Sequence, residues 1–98
     1  MKVKARYFTT LRGLAQRAEE EIEFEDNITL ADPIEKIALK YGCEARQYLY
    51  SDEKRRKVDS SVRFLINGRD ARMLRGLETK LENVDIMAII PPIGGGAK

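Results

Sequence analysis

The chain contains no histidine and only one cysteine, Cys43, among its 98 residues. Those two shortages remove disulfides within the chain, Cys/His zinc sites, and every triad or general-base mechanism built on imidazole. Most enzyme classes fall away by subtraction, and neither a metal site nor a resident cofactor is expected. Long apolar runs are missing as well: a stretch such as "MAII" at 87–90 is far short of the roughly 20 residues that cross a bilayer. The opening "MKVKARYF" alternates charge with apolar residues and lacks a signal-peptide core, which points to a cytoplasmic protein without a membrane role. Nor does one charge dominate. Eighteen Lys and Arg against sixteen Asp and Glu leave +2, too balanced to imply nucleic acid as a partner.

What is present reads as one domain over 1–93 with a short Gly-rich tail at 94–98. "KVKARYF" sets Val3, Ala5 and Tyr7 on one face and Lys2, Lys4, Arg6 and Phe8 on the other, predicting a half-buried strand over about 2–8. Thr9 or Thr10 is placed to cap a short helix carrying Leu11, Leu14, Ala15 and Ala18. "EEIEFE" at 20–25 reads as a second strand, with Ile22 and Phe24 inward and the glutamates outward. In "TLADPIEKIALKYG" at 29–42, Asp32 is expected as N-cap, Pro33 as first helical residue and Glu35 as capping-box partner. Leu30, Ile34, Ile37, Ala38 and Tyr41 make the apolar stripe of that helix, and Gly42 supplies a left-handed stop.

Residues 43–60 read as a short helix and an exposed loop, anchored by Tyr48 and Leu49. Asn67-Gly68 inside "VRFLINGRDARM" predicts a tight hairpin, and "VDIMAII" at 84–90 is a last strand running into Pro91-Pro92. The order strand, strand, helix, strand, strand implies an α+β domain of the ubiquitin-like β-grasp kind, a mixed four- to five-stranded sheet packed on one main helix.

Three stretches bear on function. Pro91 and Pro92 lack backbone donors and end sheet pairing, and the glycines after them carry no Cβ, so "PPIGGGAK" is expected to be a thin, extended tail. A bare glycine run equally fits a frayed terminus. On the last strand, Met87 and Ile89 facing the core leave Ile86, Ala88 and Ile90 turned outward, and Phe8 joins them if the first and last strands are neighbours. Such a patch marks a protein-binding surface, unless 43–60 packs over it. The run Lys54, Arg55, Arg56, Lys57 is flanked by acids and reads as a solvated loop, and Cys43 as a buried or incidental thiol.

"YFTTLRGL" at 7–14, "INGRD" at 66–70 and "DIMAIIPPIGGG" at 85–96, in that order, resemble the MoaD/ThiS family of β-grasp sulfur carriers, and within it the small subunits of molybdopterin synthase. The resemblance spans nearly the whole chain except 43–60. It implies that Gly95 and Gly96 are the family's terminal Gly-Gly. The Gly96 carboxylate would be adenylated by an E1-like enzyme of the MoeB/ThiF type using ATP and Mg, then converted to a thiocarboxylate. It further implies that Phe8, Ala88 and Ile90, continued by Pro91, Pro92 and Gly94, dock on that enzyme and on the large synthase subunit, MoaE. One departure stands out, since Ala97 and Lys98 follow Gly96 and hold its carboxyl in a peptide bond. Either a processing protease removes them, or the chain is an unactivated relative, or the two residues are a cloning remnant. A ubiquitin-like modifier attached to lysines, a carrier for thiamine or tRNA thiolation, and a binding module without covalent chemistry are the competing readings.

Overall fold

The structure is a computed structural model and describes residues 1–52, 54 and 57–90. Strand β1 (Lys2–Tyr7) follows the predicted alternation, with Val3, Ala5 and Tyr7 buried. Helix α1 (Thr9–Ala15) comes next, but its threonines do not cap it. Phe8 occupies the cap position in extended backbone and no side chain closes the end. Gln16 then takes a left-handed conformation, φ 57 and ψ 36, and stops the helix, so Leu11 and Ala15 are buried while Ala18 lies beyond the helix and is exposed.

Strand β2 (Glu19–Glu23) pairs antiparallel with β1. Here the expected division of faces fails at one residue. Glu20 has the same parity as Ile22, opposite Ala5 on the core side, and is buried.

Helix α2 (Ala31–Leu49) buries Leu30, Ile34, Ile37 and Ala38 as the stripe predicts, and Tyr41 is half-buried. Its start differs from expectation. Leu30 is the cap residue, and Asp32 sits in the first turn, where its Oδ2 accepts from the Thr29 N–H at 2.9 Å. The acid-to-amide bond of a capping box is thus made one turn earlier than expected. Gly42, at φ 88 and ψ −164, interrupts the helix where a stop is predicted, and helical backbone resumes over 43–49. Ala45 and Leu49 of this second piece are buried in the core. The expected loop contains a small ribbon, β3 (Tyr50–Asp52) against β4 (Lys57–Val58).

Strands β5 (Arg63–Ile66) and β6 (Arg69–Asp70) form the predicted hairpin, with φ positive at both Asn67 (53) and Gly68 (88), the signature of the type I′ turn. Two 3₁₀ turns, Ala71–Met73 and Gly76–Glu78, lead to the last strand, β7 (Asp85–Ile90). Asn67 does more than turn the chain: its side chain donates to Asp85 at 2.9 Å and accepts from the Ile86 N–H at 3.0 Å, pinning the hairpin to the start of β7.

The strand order is β2-β1-β7-β5-β6, with β7 parallel to β1 and antiparallel to β5. Helix α2 covers one face of this mixed sheet, and the core lies between them. This is the ubiquitin-like β-grasp architecture expected from the order of elements.

Candidate functional site

The sheet face away from α2 follows from register and parity. Arg6 of β1, Ala88 of β7 and Leu65 of β5 lie in one row across three strands. Lys4 stands beside Ile86, and Arg63 beside Ile90. Phe8 follows Tyr7, which pairs with Ile89, and so comes next to Ile90 at the end of the sheet. Phe8 is 38% exposed, a large apolar side chain left open to water, and Leu65, Ile86, Ala88 and Ile90 are half-buried.

A strip of apolar side chains therefore runs down the middle of the face. Charges flank it: Glu19 bridges Lys4 Nζ at 3.6 Å and Arg6 Nε at 3.7 Å on the β2 side. An apolar centre with a polar rim is the anatomy of a protein-binding surface. Among the described residues of 43–60, Leu49 is buried in the core and Tyr48, Tyr50 and Val58 pack against that core rather than over the patch.

The structure thus brings Phe8, Ala88 and Ile90 together as predicted. Ile86 lies on the same face as expected, and the structure adds Leu65, which pairs with Ala88 across β5 and β7. Pro91, Pro92, Gly94, Gly95 and Gly96 lie outside the described residues. Ile90, the last described residue, is itself part of the patch.

A second concentration of polar groups sits on the other side of the sheet. The Glu20 carboxylate accepts from Tyr7 Oη at 2.7 Å, from Tyr41 Oη, and from Lys40 Nζ at 2.7 Å. Arg17 Nη1 lies 3.8 Å from the same carboxylate. Burial pushes the Glu20 carboxyl up, but the hydrogen bonds from Lys40, Tyr41 and Tyr7 outweigh it and hold the group below its ordinary value. Burial and the adjacent carboxylate push both tyrosines up. Every group in the cluster is satisfied by another, which describes a structural clamp between β1, β2 and α2 rather than a reactive centre. Among the described residues no group of three or more Cys, Asp or Glu is arranged to hold a metal ion, and no helix is long and apolar enough to cross a membrane.

The fold is that of a small ubiquitin-like β-grasp domain with an apolar strip on its outer sheet face. The ThiS family profile matches residues 5–96, and the chain belongs to that family. Small archaeal modifier protein 3 of Haloferax volcanii is 27% identical over 96 residues, covering 98% of this chain and all of the relative. The solution structure of small archaeal modifier protein 1 from Methanosarcina acetivorans is 31% identical with a TM-score of 0.81, covering 97% of this chain and 96% of that one. A Pyrococcus furiosus protein assigned as molybdopterin converting factor subunit 1 is 29% identical with a TM-score of 0.71, covering 94% and 98%. The chain is therefore one of the ubiquitin-like carriers and modifiers.

Proposed function

We propose that the protein is a sulfur carrier for molybdopterin biosynthesis, loaded at Gly96. The observation that supports this reading most is continuity: the apolar face ends at Ile90, and the sequence runs from there directly into Pro91-Pro92 and the glycines. The face holds a partner while the tail, lacking Cβ atoms at Gly94, Gly95 and Gly96, threads into that partner's active site.

The chemistry needs no catalytic side chain from the carrier. A Gly96 carboxylate oxygen attacks the α-phosphate of ATP on an E1-like adenylating enzyme, pyrophosphate leaves, and a mixed anhydride with AMP forms. A hydrosulfide ion then attacks the glycine carbonyl, the bond to AMP breaks and AMP departs, and the thiocarboxylate remains after its S–H proton is lost to solvent. ATP and Mg serve the activating enzyme, and the carrier holds no cofactor of its own. The thiocarboxylate is then placed by the large synthase subunit, MoaE, beside the pterin precursor. Gly96 must first be freed of Ala97 and Lys98, which assigns a processing protease as a further partner. The protein works in the cytoplasm, where its pathway is expected.

Mass spectrometry of the chain ended at Gly96, after incubation with the adenylating enzyme, ATP and a sulfur donor, tests this: one oxygen is expected to be replaced by sulfur. The small archaeal modifiers among its relatives favour a second reading, attachment of Gly96 to lysines of other proteins. Gly-Gly remnants on cellular lysines after proteolysis would support that reading. Loss of molybdopterin in a deletion strain without such remnants would support sulfur transfer.

A further inference from the structure

A cavity of about 270 Å³ opens beside β5, on the far side of the strand from β7, where β6 ends at Asp70 and the chain turns into the 3₁₀ segment. Leu30, Val58, Val62, Phe64, Ala71 and Leu77 line it. Its size is below the roughly 300–1,000 Å³ of ordinary ligand pockets and suits one large apolar side chain.

The rim is charged and uneven. Asp70 is bound by its neighbour Arg72, Nε to Oδ1 at 3.3 Å and Nη2 to Oδ2 at 3.1 Å. Asp59 Oδ1 takes two bonds from Ser61, from the N–H at 2.9 Å and the hydroxyl at 2.7 Å. The other two rim charges, Lys57 and Arg63, make no ion pair with any described residue, although Arg63 is near enough to help lower the Asp70 carboxyl. Counting Arg72, three cations and two carboxylates line the cavity, a net charge of +1: Asp70 is paired with Arg72, whereas Asp59, bonded to a neutral serine, keeps its charge.

We infer that this cavity is a second docking site, which takes an aromatic or large aliphatic side chain flanked by acidic residues from a partner protein's segment. The apolar lining holds the anchor, and Lys57 and Arg63 meet the carboxylates beside it. Arg63 stands beside Ile90 on the outer face and also lines the cavity, so a partner seated on that face reaches the cavity over the β5 edge. The site is separate from the tail chemistry and holds whether Gly96 carries sulfur or joins lysines.

The test is amide NMR titration of the ¹⁵N-labelled full chain with acetylated, amidated Asp-Glu-Phe-Asp-Glu. Saturable shifts are expected at Phe64, Ala71 and Leu77, with a dissociation constant near or below about 1 mM. Asp-Glu-Ala-Asp-Glu and Lys-Lys-Phe-Lys-Lys are expected to bind at least about tenfold more weakly, as is the first peptide to the Lys57→Glu/Arg63→Glu variant. Raising the salt from about 0.05 to 0.5 M should weaken the acidic peptide selectively. Absence of saturable shifts, equal binding of the lysine-flanked peptide, or shifts confined to the outer face would overturn the inference. Phenylacetate binding as tightly as the peptide would overturn it too, by making the cavity a site for small carboxylates.

Discussion

Tyr7 and Glu20, on neighbouring strands, meet at 2.7 Å through the phenol hydroxyl and a carboxylate oxygen that is buried on the core side of the sheet. Tyr41 donates to the same oxygen from α2. A buried carboxylate with three donors is costly to disrupt, because each lost partner leaves a polar group unmet. Tyr7→Phe should cost about 1–2 kcal/mol, and Glu20→Leu, which strands two phenols at once, about 2–3 kcal/mol. Urea unfolding followed by circular dichroism measures both.

The same clamp sets the pH response. The folded Glu20 carboxyl lies below its ordinary value of 4.5, so its contribution is complete above that pH and is lost as pH falls toward the folded value. Asp59, held down by the Ser61 hydroxyl and N–H, and Asp70, held down by Arg72, act in the same direction. Tyr7 and Tyr41 are raised above 10.0, so their contribution is present below that value and fades above it. Stability should therefore be flat between these limits and decline on both sides. In Glu20→Gln the acid decline should be shallower, as measured by urea midpoints across pH.

On the outer face, Ala88 lies between Arg6 and Leu65 in the middle of the apolar strip. Ala88→Arg puts a charge where a partner must desolvate the surface, and should raise the KM for the carrier in adenylation at least about tenfold. Phe8→Ala should act in the same direction more weakly. Both variants should keep their melting temperature within a few degrees, because neither side chain belongs to the core. Pyrophosphate exchange with the activating enzyme, compared with thermal unfolding, separates the two effects.

Val84 precedes β7 with φ 64 and is 75% exposed. A β-branched residue in the left-handed region is strained, and here its N–H bonds the Lys2 carbonyl at 2.8 Å, which holds the turn in place. Val84→Asn keeps that bond and tolerates the backbone, so it should stabilise the fold by about 1 kcal/mol and raise the melting temperature by about 4–8 °C. Differential scanning fluorimetry suffices to check it.

Much of the sheet was legible because alternation fixes parity, and parity fixes the face. Val3, Ala5, Tyr7, Met87 and Ile89 reached the core, and Phe8, Ala88 and Ile90 met on the other side, once β1 and β7 proved parallel neighbours. Glu20 defeated the same rule. A glutamate in a glutamate run reads as solvated until its three donors, which come from distant parts of the chain, are known. Leu65 sits in "RFLI", where three consecutive apolar residues carry no alternation, so only its pairing with Ala88 assigns it to the outer face. The β3–β4 ribbon and the cavity above β5 depend on contacts between segments of irregular sequence, and no periodicity announces those.

The measurement that bears most directly on the sulfur-carrier reading is the intact mass of two forms, one ending at Gly96 and one ending at Lys98, after incubation with an E1-like adenylating enzyme, ATP and a sulfur donor. The form ending at Gly96 should gain the difference between sulfur and oxygen, and the longer form should stay unchanged until Ala97 and Lys98 are removed. A Gly96 form that binds the activating enzyme but never changes mass would contradict the account.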